Sequence, residues 1–109
     1  MFRFNPNPTF TALVPISVPG VPEPMDVSIT FRHKNKVALK AWIASASGKE
    51  DAALLHEVVV DWSGPKSDEG EPVAYSLTNL GEFLNNYGTA HGEIFRAYLK
   101  ELTESKRKN

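Results

Sequence analysis

The chain has 109 residues, of which 41% are hydrophobic and 10% aromatic, with twelve basic and thirteen acidic side chains. This length fits one domain with one modest core and argues against two independent domains. The formal net charge of -1 gives no overall attraction to nucleic acid or to an anionic membrane, and the lack of cysteine excludes disulfides and thiolate metal sites. We expect neither export nor a membrane span, because the first residues lack a signal-peptide pattern and no apolar stretch approaches roughly 20 residues.

Two stretches of alternating apolar and polar residues predict two β-strands at the start of the chain. Residues 10–18 and 25–32 each place an apolar side chain at every second position. Pro15 lacks an amide donor, so it indicates that the first strand lies at a sheet edge or carries a bulge. The proline-rich residues 19–24 favour a turn, and we therefore predict an antiparallel β-hairpin.

Helical spacing of apolar residues follows the hairpin. Residues 35–46 carry apolar side chains every three to four positions, which predicts an amphipathic helix. Ser47 and Glu50 stand at the spacing of a capping box, in which the two side chains bond free amides at a helix start. We therefore predict a second helix over about 48–62, ended by the Ser-Gly-Pro sequence that follows Trp62.

The second half of the chain is predicted to hold a loop and two further helices. Residues 63–73 are rich in Gly, Pro, Ser and acidic residues, which is typical of an exposed loop. Ser76 is placed to cap a third helix, and Gly88 is suited to a left-handed conformation after its end. A fourth helix begins near Thr89.

The predicted fold is α+β, with an N-terminal antiparallel β-hairpin followed by about four α-helices packed as a small bundle. Residues 1–109 are predicted to form a single domain, in which residues 1–8 and 104–109 are expected to be flexible.

The reactive side chains do not form a pattern typical of catalysis or of cofactor binding. His33, His56 and His91 are scattered without the spacing of metal ligands. The sequence has no Gly-rich phosphate loop and no serine-nucleophile motif. We therefore expect a protein that is not an enzyme and that uses no cofactor or metal.

A small DNA-binding regulator is one alternative, because the third and fourth helices are joined by Tyr87-Gly88-Thr89, as in a helix-turn-helix. Binding to duplex DNA normally needs a basic recognition helix, whereas residues 90–104 hold three glutamates and only two basic residues. We attribute the Lys-Arg-Lys sequence at 106–108 to favourable interaction with the helix dipole.

Three aromatic residues near predicted element ends are candidates for a partner-binding surface: Trp62, Tyr75 and Tyr87. Tryptophan and tyrosine are enriched at binding hot spots because they combine a large apolar area with a polar group. Trp42 lies within an apolar helical stripe and is assigned to the core.

The order of these features resembles the phage tail assembly chaperone family. The resemblance covers about residues 10–102 and rests on the following segments: the strand end Thr30-Phe31-Arg32-His33, a helix with Trp42, Glu57-Val58-Val59-Val60-Asp61-Trp62, Glu71-Pro72-Val73-Ala74-Tyr75-Ser76, Leu80, Phe83-Leu84, and a last helix through Tyr98.

The resemblance implies a protein of a long-tailed bacteriophage or prophage that acts in the host cytoplasm and is absent from the mature virion. It implies binding to the tape measure protein and help in recruiting the major tail protein. Many members of the family also occur as a second, longer product of ribosomal frameshifting. A structural component of the tail is the other alternative.

Overall fold

The computed structural model describes residues 1–104. Two expectations fall wholly or partly outside the described residues, namely the flexible end at 104–109 and the basic sequence at 106–108. Within the described part, the fold is α+β, with a three-stranded antiparallel sheet and four α-helices.

The sheet has the strand order β1-β2-β3 and consists of Thr9–Ile16 (β1), Met25–Arg32 (β2) and Val59–Ser63 (β3). The predicted hairpin is confirmed, since β1 and β2 pair antiparallel along their whole length. The prediction for Pro15 is confirmed as well, because β1 is an edge strand and an edge tolerates a missing amide donor.

Strand β3 was not predicted, and the predicted second helix over 48–62 is wrong in its second half. The helix spans only Asp51–His56 (α2), and the chain then enters β3 and pairs with β2, with Trp62 opposite Ile29. The sequence Val58-Val59-Val60 explains the change, because β-branched side chains favour a strand over a helix. A third strand also supplies hydrogen-bond partners for the second edge of β2.

The other helices are Lys36–Ala44 (α1), Leu77–Asn86 (α3) and Ala90–Thr103 (α4), and a short 3₁₀ turn covers Ala46–Gly48. Ser76 caps α3 as predicted, with its hydroxyl oxygen accepting a hydrogen bond from the Asn79 amide at 3.0 Å. These helices begin and end close to their predicted positions.

Two predictions about helix ends are wrong. Ser47 lies inside the 3₁₀ turn, and Glu50 is itself the residue that precedes α2, without a side-chain capping bond. The predicted capping box therefore does not form. Gly88 does not adopt the left-handed conformation, because α3 ends at Tyr87 with an extended backbone.

The core lies between one face of the sheet and the helices. Helix α4 packs on β1, and α2 contacts both α3 and α4. The buried side chains include Val14, Ile16, Val27, Ile29, Phe31, Leu39, Trp42, Leu54, Leu55, Val58, Val59, Trp62, Leu80, Ala90, Ile94 and Tyr98. Among residues 1–104, no helix has the length and apolar character needed to cross a membrane.

Candidate partner-binding site: an aromatic cavity beside strand β3

The structure brings the three predicted aromatic residues into one cluster. Trp62 lies on β3, Tyr75 precedes α3, and Tyr87 ends α3. The ring of Trp62 contacts Tyr75 edge-on, with centroids 5.3 Å apart. Tyr87 joins the cluster through Phe83, whose ring centroid lies 5.4 Å from that of Trp62 and 5.1 Å from that of Tyr87. Phe83 lies on α3 and is not among the three aromatic residues predicted for the partner-binding surface.

Trp62 is the buried member of this cluster and does not protrude into solvent. Its side chain is only 8% exposed, and it sits on a strand, not at the helix end expected from the sequence. The indole Nε1–H donates a hydrogen bond to the carbonyl oxygen of Val73 at 2.8 Å. Because a buried indole N–H needs an acceptor, this bond fixes the ring and ties β3 to the loop that follows it.

Tyr75 is held by a polar contact on its other side. Its hydroxyl lies 2.7 Å from Nδ1 of His56, and the two rings stack with centroids 5.8 Å apart. Burial raises the pKa of Tyr75 to about 12, and the positive charge of Arg32 offsets part of this rise. The phenol is therefore neutral at physiological pH and serves as a hydrogen-bonding group, not as a charge.

The loop between β3 and α3 is exposed, as predicted, but it is also internally hydrogen-bonded. The amide of Ser67 donates to the carbonyl of Glu71 at 2.8 Å, and the amide of Val73 donates to the carbonyl of Pro65 at 3.0 Å. Gly70 makes the sharp turn at the tip, with a φ of 82° that glycine adopts without strain. These bonds give the loop a defined shape, so it forms a wall beside α3.

A cavity of about 560 Å³ lies between this loop and α3, and we call it the aromatic cavity. Its apolar surface comes from Trp62, Val73, Phe83 and Tyr87, and its charged rim from Lys66, Asp68, Glu69 and Glu82. The rings of Phe83 and Tyr87 are half-buried, so part of each ring remains accessible. The cavity thus combines exposed ring surface with an excess of carboxylates.

A larger groove, of about 820 Å³, runs between β1 and α4. The described residues that line it include no aromatic side chain, and its charged residues are of both signs. Its most exposed apolar residue is Leu13, at 68%. The groove therefore lacks the aromatic anchors that dominate protein-binding sites.

At one end of this groove, hydrogen bonds connect the end of β1 to α4. The carboxylate of Glu93 on α4 accepts hydrogen bonds from the amide and hydroxyl of Ser17, and from the Thr89 hydroxyl at 3.0 Å. Burial alone would raise the pKa of Glu93, but these hydrogen bonds and the charge of Arg96 outweigh it and lower the pKa below 4.5. Glu93 thus fastens the end of β1 to α4.

The histidines do not form a metal site in the described part of the chain. His56 pairs with Tyr75, and Nε2 of His91 lies 3.5 Å from a carboxylate oxygen of Asp51. Within residues 1–104, no group of three or more His, Asp or Glu side chains is arranged to hold a metal ion.

These observations describe a small α+β domain with an aromatic cavity on its surface. Comparison with known families shows a match to the family described as phage tail assembly chaperone, over residues 1–109. The chain belongs to this family. Its general role is therefore in the assembly of phage tails, and family membership implies that it binds phage tail proteins. No curated protein and no solved structure matches the chain significantly.

Proposed function

We propose that this protein binds the tape measure protein and helps recruit the major tail protein while the tail is being built. It acts in the host cytoplasm, is absent from the mature virion and catalyses no reaction. The match of the whole chain to the tail assembly chaperone family carries this proposal. The family assignment favours a role in assembly over the two alternatives, a structural part of the tail and a DNA-binding regulator.

We propose the aromatic cavity as the surface that contacts a tail protein. A partner-binding site needs apolar area that the chain itself leaves uncovered, and half-buried Phe83 and Tyr87 supply it. Phe83 packs edge-on against Trp62, and Trp62 in turn contacts Tyr75, which stacks on His56. A rigid, preformed aromatic surface reduces the entropy lost on binding, which favours affinity.

Co-expression with the tape measure protein encoded alongside, followed by size-exclusion chromatography, tests the proposed function. We expect the two proteins to elute as one soluble complex, and the tape measure protein to be insoluble without its partner. A tape measure protein that stays insoluble and unbound contradicts the proposal.

The alternatives make different predictions. A DNA-binding regulator forms a salt-sensitive complex with duplex DNA in a gel-shift assay, because phosphate contacts release counterions. A structural component is found by mass spectrometry in purified virions. We expect neither result, and either one would favour the corresponding alternative.

A further inference from the structure

We propose that the aromatic cavity accepts a single basic side chain of the partner protein, arginine in preference to lysine, between its rings and its carboxylates. This inference rests on the proposed function for the identity of the partner. It goes further by stating which side chain the site selects.

The first support is the arrangement of the rings. The centroids of Phe83 and Tyr87 are 5.1 Å apart, and the ring planes are inclined at 45° to each other, so both rings border the same space. A cation is attracted to an aromatic face when it lies within about 6 Å of the centroid. Trp62 and Val73 line the apolar part of the cavity, where they contact the methylene groups of a long basic side chain.

The second support is the charge of the rim. Among the described residues that line the cavity, the three carboxylates of Asp68 and Glu69 on the loop and Glu82 on α3 outnumber one cation, Lys66. The whole chain carries nearly equal numbers of acidic and basic residues, so this excess of negative charge is local. It favours an incoming cation and repels an acidic side chain or a nucleic-acid phosphate.

The third support is that these carboxylates are not already neutralised. Among residues 1–104, Lys49 pairs with Glu57 and His91 with Asp51, and neither pair involves Lys66 or the three carboxylates of the rim. Lys66 is exposed, and its backbone forms an isolated antiparallel β-bridge with Pro72 at the base of the loop. The rim therefore has unpaired negative charge for a basic group from outside.

The combination of rings and carboxylates favours arginine. A guanidinium is planar and weakly hydrated, so it stacks on an aromatic face while its N–H groups donate to nearby carboxylates. An ammonium group is more strongly hydrated and loses more on leaving water. A purely apolar side chain leaves the carboxylates without a partner and removes some of their water.

The direct test is a titration followed by the indole N–H signals in NMR spectra. The probe is N-acetyl-arginine N-methylamide, and the neutral control is the corresponding glutamine derivative. The two indole signals are assigned with Trp42→Phe. We expect the arginine probe to shift the signal of Trp62 in a saturable way and the glutamine probe to shift it much less. Equal shifts with both probes, or no shift with either, would overturn the inference.

Two variants locate the effect. Glu82→Gln removes one rim carboxylate, and we expect it to weaken binding of the arginine probe by about fivefold. Tyr87→Leu keeps apolar volume but removes a ring face, so we expect it to weaken binding of the probe as well. As a control, Glu23→Gln makes the same charge change on the exposed β1–β2 connection, outside the cavity lining, and we expect it to have no effect. If Glu82→Gln, Tyr87→Leu and Glu23→Gln all bind the arginine probe as tightly as wild type does, the inference is contradicted.

The same variants, tested with the tape measure protein, separate this inference from the proposed function. If the arginine probe binds in the cavity but the tape measure protein does not bind, the site is supported and the proposed function fails. If the tape measure protein binds wild type and Glu82→Gln equally and the probe causes no shift, the function is supported and this inference fails.

Discussion

Two aromatic clusters, each containing a tryptophan, lie within residues 1–104, and they differ in how completely the chain covers their tyrosines. The inner cluster includes Trp42, Phe95, Tyr98 and Phe31. The centroids of Phe95 and Tyr98 lie 5.1 and 5.3 Å from that of Trp42, and the centroid of Phe31 lies 5.0 Å from that of Tyr98. The outer cluster consists of Trp62, Tyr75, Phe83 and Tyr87. Both tryptophans donate their indole N–H to a backbone carbonyl, at 3.1 Å for Trp42 and 2.8 Å for Trp62.

The difference lies in the tyrosines. Tyr98 is 0% exposed, and its hydroxyl donates to the carbonyl of Arg32 at 2.7 Å, which joins α4 to β2. Tyr75 and Tyr87 are only half-buried. The inner cluster therefore contributes most of its apolar area to folding, whereas the outer cluster leaves part of its ring area uncovered, which is where we propose that a partner binds.

The largest effect that separates the clusters is the loss of a large ring. Trp42→Ala should lower the free energy of unfolding by about 3–5 kcal/mol, because it leaves a cavity in the core. Tyr87→Ala should lower it by less, about 1 kcal/mol, since Tyr87 is only half-buried. Urea denaturation measures both, and Trp42→Phe provides a milder variant if Trp42→Ala does not fold. Equal costs for Trp42→Ala and Tyr87→Ala would show that Tyr87 contributes to the core as much as Trp42 does.

A matched pair of hydroxyl deletions gives the next largest contrast. Tyr98→Phe should cost about 1–2 kcal/mol, because it removes a hydrogen bond made by a fully buried side chain. Tyr75→Phe should cost less than about 0.5 kcal/mol, because exposed His56 replaces the lost hydrogen bond with one to water. A larger loss for Tyr75→Phe would reverse the assignment of the two clusters.

High pH should weaken the protein through both clusters. Burial raises the pKa of both Tyr75 and Tyr98 from 10.0 to about 12. The folded chain therefore holds these phenolic protons more tightly than the unfolded chain, and stability present below pH 10 is lost as pH rises towards 12. Unfolding by urea at a series of pH values measures this decline. Each of the variants Tyr75→Phe and Tyr98→Phe should make it shallower, and an unchanged slope in both would contradict tyrosine ionisation as its cause.

A further prediction concerns a contact outside both clusters, between Ser17 at the end of β1 and Glu93 on α4. Glu93→Gln should cost about 1 kcal/mol, since the residue is partly exposed. The lowered pKa of Glu93 means that its carboxylate stabilises the fold above pH 4.5, and this contribution is lost as pH falls below that value. The variant should therefore be less sensitive to acid than wild type in thermal unfolding between neutral pH and about pH 3. Identical acid sensitivity would rule out Glu93 as a contributor.

Much of the fold could be predicted from local sequence patterns. Period-two alternation identified β1 and β2, and helical spacing identified α1, α3 and α4. Strand β3 could not be recognised from the spacing of apolar residues, because α2 and β3 both direct apolar side chains into the same core. As a result, the apolar residues at 54, 55, 58, 59 and 62 have the spacing of a single amphipathic helix. The run of three valines was the local signal that distinguished the strand.

The candidate site was only partly predictable. The sequence shows that Trp62, Tyr75 and Tyr87 are aromatic residues near predicted element ends, and their assignment to partner binding stays a prediction. Phe83 could not be separated from core residues, because its exposure depends on the loop opposite it. The rim carboxylates could not be placed, because the loop owes its shape to hydrogen bonds such as that from Gly70 to Ser67. The contact between Ser17 and Glu93 links residues 76 positions apart, which no local pattern reveals.

The most direct test compares the affinity of the tape measure protein for wild type, Tyr87→Ala and Leu13→Ala by calorimetry. The two variants each remove an apolar side chain, one from the aromatic cavity and one from the larger groove. Urea denaturation first establishes that both are folded. We predict that Tyr87→Ala raises Kd by at least about tenfold and that Leu13→Ala raises it by less than about threefold. A large loss for Leu13→Ala with full affinity for Tyr87→Ala would contradict the account and place the partner on the groove between β1 and α4.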